Sequence, residues 1–286
     1  MCCLLPNGEL RRRFASLGPP ASVTGHCHPR CYLGSTSDCS ADISAEHYVS
    51  QSVLELIADR ALLVGGFPWL PSDQRREISI RSLTANILCA RHNSALSPLD
   101  NIAGEFAREF KSIRELSQRR SLSRKNKLIL ISGEAFELWM LKIACGLFYS
   151  KNASNNGTRL IDNHTIDEKL LTAALFQGKW GDGCGLYMQA TQGAIRPITN
   201  TIEMVPYSDV AQKRFVGIRL ILMGCLDFNL MFDPVGVNTG SLLGDGWRRR
   251  PSELVFRVES RAYTLRLTWA PGTPPLSISL HTRRRV

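Results

Sequence analysis

No stretch of this chain is apolar for long enough to cross a membrane as a helix. Its most apolar run, Phe215 to Phe232, is interrupted by Arg219 and Asp227, whereas a span needs about 20 largely uncharged residues. The opening MCCLLPNGELRRRF has too short an apolar run for a secretory signal, and its positive charge follows that run instead of preceding it. No internal repeat and no nucleotide-binding glycine loop is present, which excludes repeat arrays and the common dinucleotide sites. A repeated cysteine spacing is also missing. The nine cysteines are an odd number and crowd into the first third as Cys2, Cys3, Cys27, Cys31, Cys39 and Cys89, with Cys145, Cys184 and Cys225 isolated later. That pattern argues against a secreted disulfide framework and for a reducing compartment, one metal site and several buried thiols. A soluble, cytoplasmic protein with no membrane partner is expected.

What is there suits an ordinary globular chain. With 286 residues, 44% hydrophobic and 21% charged, it can bury a sizeable core in one or two domains. Its 35 Lys and Arg against 25 Asp and Glu leave a formal charge of +10, which favours an acidic partner, most often nucleic acid.

In chain order, residues 1–25 read as a basic, Gly/Pro/Ser-rich arm. Short strands are expected next, with Cys31 and Cys39 at the two ends of a hairpin. Val53, Leu54, Leu56 and Ile57 have helical spacing behind a possible Ser50 cap, and LLVGGFPWLPSD breaks into a loop. Glu77 to Leu83 alternates as a half-buried strand does. Ser97-Pro98-Leu99-Asp100 has the form of a helix start, with Asp100 as a cap before a helix burying Leu99, Ala103, Phe106, Phe110 and Ile113. The basic run RRSLSRKNK, residues 119–127, separates a metal-finger domain at 26–118 from an α+β domain at 128–286. That second domain opens with a strand and a nearly all-apolar helix, EAFELWMLKIACGLFY, and continues with a short helix and a run of alternating strands. A mainly antiparallel sheet packed on helices is expected.

The chemistry concentrates in LCARHNSALSPLD. Cys89 and His92 stand at a C-x2-H spacing, three apart at a tight turn, where a thiolate and an imidazole can hold one tetrahedral ion from the same side. Cys31 and Cys39 complete a closed Cys3His set of the structural zinc type, although Cys27, His26 and His28 compete for a place in it. Glu46-His47 lies between the two ligand pairs, immediately before a helix.

CYLGSTSDCSADISAEHYVS followed by LTANILCARHN resembles the HNH endonuclease group, whose core is a ββα-metal finger, over residues 27–115. The resemblance implies that His47 is the general base for the attacking water, a role imidazole fills near ambient pH. It places Asn93 where the last metal-binding histidine of the family falls, and Glu46 as a companion oxygen ligand. These would hold Mg2+ or another divalent ion against the scissile phosphate. Three positions depart from the family: the middle asparagine falls near Thr84, with Asn86 two away; Asn93 replaces the last histidine; His92 replaces a cysteine. The implied function is a metal-dependent HNH-type endonuclease hydrolysing phosphodiester bonds in DNA, of the kind met in defence or mobile elements. In that reading the second domain recognises substrate or a protein partner. The alternative is a catalytically inactive zinc finger that binds nucleic acid or protein.

Overall fold

The computed structural model describes residues 3–4, 10–11, 23–58, 61–65, 67, 69–71, 74–118, 127–155, 157–189, 201–224, 226–233, 243, 246–258, 261–271, 273 and 275–282. Its first half runs β1 (Cys3–Leu4), β2 (Leu10–Arg11), β3 (Ile43–His47), α1 (Gln51–Ile57), β4 (Ala61–Gly65), β5 (Arg75–Ser79), β6 (Thr84–Cys89) and α2 (Ala90–Gln118). The second half runs β7 (Lys127–Ser132), α3 (Gly133–Tyr149), β8 (Ser154–Asn155), β9 (Thr158–Arg159), α4 (Glu168–Gln177) and β10 (Gly185–Gln189). It closes with β11 (Ile202–Asp209), β12 (Arg214–Leu222), β13 (Leu226–Met231), β14 (Trp247–Arg249), β15 (Glu253–Val258), β16 (Arg261–Thr268) and β17 (Ser277–Thr282).

The architecture is mixed α+β, with sheets that are mainly antiparallel. One sheet, ordered β11-β12-β13-β10-β14, is antiparallel throughout. A four-stranded sheet, β17-β15-β16-β7, departs from the expected pattern: β15 with β17 and β16 with β7 are parallel pairs. The strand before α3 thus joins a sheet completed more than 120 residues later, a pairing that local alternation cannot reveal. Smaller pairs are β1 with β2, β3 with β6, β4 with β5 and β8 with β9. The loop expected at LLVGGFPWLPSD is partly strand, because Ala61–Gly65 finds a partner in Arg75–Ser79.

The helix α3 is the centre of the molecule. Ser132 caps it by accepting from the Ala135 N–H at 3.2 Å, and every residue from Phe136 to Phe148 except Leu138 is buried. It packs on α2 and on β6, β12, β13 and β16. At Gly146 a Cβ would lie 2.3 Å from the Tyr48 Cβ, so only glycine lets α3 come this close to the end of β3. One buried cluster runs from Cys31 to Ile278, through Phe106, Phe136 and Phe228. The boundary segment 119–127 lies, except for Lys127, outside the described residues; so does most of the arm at 1–25.

The strand expected over Glu77 to Leu83 ends at Ser79 and passes into a 3-10 turn at Ile80–Ser82, and two further local expectations change. Cys31 and Cys39 are not the ends of a hairpin: a 3-10 turn, Gly34–Thr36, lies between them. The long helix starts at Ala90, seven residues before Ser97, because its cap is a thiol. Cys89 Sγ accepts from the His92 N–H at 3.4 Å, and Ser40 Oγ accepts from the Arg91 N–H at 3.2 Å. Pro98 therefore sits inside the helix. The carbonyl of Ser94 that it cannot serve receives the Ser97 hydroxyl at 2.9 Å instead. Beyond it, Leu99, Ala103, Phe106 and Phe110 are buried as their spacing requires.

Candidate metal centre and the buried lysine cluster

The antiparallel pair β3–β6 runs directly into α2. Its register sets Ile43 opposite Cys89 and His47 opposite Thr84, with an irregularity between Ser44 and Glu46. The first turn of α2 therefore carries two adjacent side chains to two different clusters, His92 to the cysteines and Asn93 to the carboxylates.

Cys31, Cys39, Cys89 and His92 are all buried, and their donor atoms lie within 4.8 Å of one another. From His92 Nδ1 the three sulfurs stand at 3.4, 3.7 and 3.2 Å respectively. A tetrahedral zinc with ordinary Zn–S and Zn–N bonds sets the S···N edge at about 3.5 Å. The four side chains are close enough to bind an ion such as zinc, and their donor set fits it. Cys27 is exposed and hydrogen-bonds Ser37 at 3.3 Å instead.

The imidazole's other nitrogen fixes its tautomer. Thr36 donates its hydroxyl proton to the Leu33 carbonyl at 2.7 Å, so at 3.2 Å from His92 Nε2 it accepts. Nε2 then carries the proton and Nδ1 keeps a lone pair for a metal. Burial lowers the His92 pKa, opposed by Asp38, which keeps the ring neutral and ligand-ready. Burial also pushes the Cys31 thiol up to about 12 and raises Cys39. Cys89 goes the other way: burial opposes ionisation, but hydrogen bonds from the His92 and Ser40 backbone outweigh it at the helix start. Asp38 holds the loop to the helix through Arg91 at 3.0 Å and the Thr24 N–H at 3.0 Å.

On the other side, Glu46, Asn93 and His47 are also brought near one another, but in a different setting. Glu46 is 6% exposed and pairs with the ammonium of Lys142 from α3, which is 2% exposed. The same ammonium pairs with Asp100. Asp100 in turn accepts the Ser50 hydroxyl, and the Trp139 indole donates to that oxygen at 2.6 Å. Ser50 stands at the N-cap position of α1 as expected, but its hydroxyl makes no capping bond, and Asp100 lies inside α2; both side chains are committed to this network. Asn93 donates to Ser44 Oγ at 2.8 Å and hydrogen-bonds Glu46.

Burial raises the Glu46 pKa, although Lys142 pulls it back. Burial lowers that of His47 against the opposing pull of Asp100 and Glu55, with a hydrogen bond to the Ile80 backbone. The His47 Nε2 is buried and has no hydrogen-bond partner among the described residues. A cavity of about 780 Å³ beside the cysteine cluster is lined by Thr36, Asp38, His92 and Phe176, not by Glu46, His47 or Asn93.

Lys142 is the residue that local motif reading passes over. Its signal was present: an ammonium in the middle of an almost wholly apolar helix needs a carboxylate. No family model, curated protein or solved structure matches this chain. No described helix is long and apolar enough to cross a membrane.

Proposed function

We propose that β3, β6 and α2, stapled by zinc at Cys31, Cys39, Cys89 and His92, form a ββα-metal finger that serves as a nucleic-acid-binding scaffold. In this reading the finger does not hydrolyse phosphodiesters through Glu46, His47 and Asn93. The observation that carries it is the Lys142 ammonium between Glu46 and Asp100, where a catalytic Mg2+ would need free oxygen ligands. The buried Nε2 of His47 supports the same reading, since a general base must reach the water it deprotonates.

For the partner, the support is electrostatic. The chain carries a formal +10, and Arg75, Arg76 and Arg81 are exposed along β5 and the turn after it. The adjacency of His47, Glu46 and Asn93 favours the hydrolase as the second reading.

Two assays on the purified protein separate them: duplex DNA binding followed by anisotropy over a salt series, and plasmid nicking with Mg2+, Mn2+ or EDTA. The expected result is binding that weakens steeply with salt, and an intact plasmid with both wild type and His47→Ala. Metal-dependent nicking that disappears in a folded His47→Ala protein would restore the hydrolase. Absence of salt-sensitive binding would remove nucleic acid as the partner.

A further inference from the structure

A buried carboxylate, Glu46, and a half-buried one, Asp100, share one ammonium in the network under α3. Glu46 is 6% exposed and Lys142 2% exposed, while the Asp100 side chain is 27% exposed. Formal charge does not balance, because two anions face a single cation. The neighbours do not correct this: Ser50, Trp139 and Asn93 contribute neutral hydrogen bonds, and His47 is held towards its neutral form by burial. Oxygen-rich surroundings with residual negative charge are what hard divalent cations select, yet the position between the oxygens is already filled by a side chain of this chain.

We propose that Lys142 is the resident cation of the Glu46–Asp100 centre, and that removing its ammonium turns the centre into a divalent-metal site. The inference rests on the reading that the finger is non-catalytic, and gives its physical cause. An ammonium is a compact charge on a tether, so its local concentration always exceeds that of a dissolved ion. In wild type it satisfies both carboxylates without metal. In Lys142→Ala the missing side chain leaves room for a metal ion and water beside Glu46 and Asp100.

Terbium luminescence reports the difference, because Trp139 touches Ser50, which touches Asp100, and an indole this near sensitises a bound lanthanide. The experiment titrates Tb3+ into zinc-loaded wild type, Lys142→Ala, and Lys142→Ala combined with Asp100→Asn. The expected result is at least about tenfold stronger sensitised emission at equal Tb3+ in Lys142→Ala than in the other two. Mn2+ should also raise the Tm of Lys142→Ala and leave that of wild type unchanged.

A folded Lys142→Ala protein with no added Tb3+ emission overturns the proposal. An independent arm uses wild type alone, with 15N-labelled lysine. A protected ammonium resonance that Mn2+ leaves sharp is expected, and broadening by Mn2+ overturns the proposal even if the alanine variant does not fold. Failure here is distinct from failure of the non-catalytic reading, which plasmid nicking by wild type decides.

Discussion

The two clusters at the start of α2 differ in who completes them. The cysteine cluster is built from Cys31, Cys39, Cys89 and His92, all within the first 92 residues, and its donors face one another. The carboxylate cluster starts from the same strands and helix with Glu46, Asn93 and Asp100, but its central charge arrives from α3 as Lys142. Neighbouring residues, His92 and Asn93, therefore enter opposite chemistries: a soft, closed set suited to zinc, and a hard oxygen set that already holds an ammonium of the same chain. The cysteine set needs only the β3–β6 pairing, which carries Cys31 and Cys39 to Cys89 and His92, whereas the buried Glu46 carboxylate must be paired with whatever the core supplies.

The comparison breaks most severely at the cysteines. Cys89→Ala removes a candidate ligand and the thiol that caps α2, so lower zinc content by elemental analysis and a lower Tm than wild type are expected. Structural zinc contributes on the order of 10–16 kcal/mol of apparent binding energy in small fingers, and a strong chelator should reproduce the effect in wild type. Retained zinc in Cys89→Ala would mean that the cluster is not the metal site.

Next comes the lysine. Lys142→Met leaves the buried Glu46 and the half-buried Asp100 without their cation and should cost about 3–5 kcal/mol in urea unfolding. Adding Glu46→Gln and Asp100→Asn should return most of that loss, because uncharged partners need no cation. A triple variant no more stable than Lys142→Met would show that the lysine acts through packing, not charge.

Thr36→Val tests how far the cysteine–histidine cluster depends on its surroundings. It removes the acceptor that fixes the His92 tautomer and should weaken zinc affinity by about 10- to 100-fold, measured by chelator competition, with the same fold by circular dichroism. Unchanged affinity would mean that the imidazole is oriented by the cysteines alone.

The smallest effect is a pH dependence. The folded-state pKa of His47 is lowered by burial, so the unfolded chain takes up its proton first. Stability is then present above the ordinary histidine value of 6.5 and falls as pH drops through the folded pKa. His47→Gln should match wild type above that value and lose less stability below it; parallel curves for the two proteins would contradict a half-buried imidazole held towards its neutral form.

Much of the cysteine–histidine cluster was legible because part of its signal is local. The C-x2-H spacing, the polar Cys31–Cys39 segment and the run into a helix each depend on residues a few positions apart. The start of α2 was misplaced because Ser-Pro-x-Asp is a common opening, while a thiol cap supported by Ser40 depends on a loop 50 residues upstream. Asp100 looked like a cap for the same reason, and only the approach of α3 gives it to Lys142. The apolar character of α3 marked it as a core element, and it is one.

By itself the sequence determined the donor types, the amphipathic face of α2, the buried character of α3 and the alternation of the later strands, since each follows from periodicity or short spacing along the backbone. The tertiary structure alone decided that β7 pairs in parallel with β16, that α3 lies close against Tyr48 at Gly146, and that Lys142 reaches Glu46 and Asp100. The physical reason is the range of the interactions. The C-x2-H spacing and the apolar periodicity act within a turn or two, whereas the meeting of the two ligand pairs and the pairing of buried charge are settled only when distant elements come together and expel water from between them.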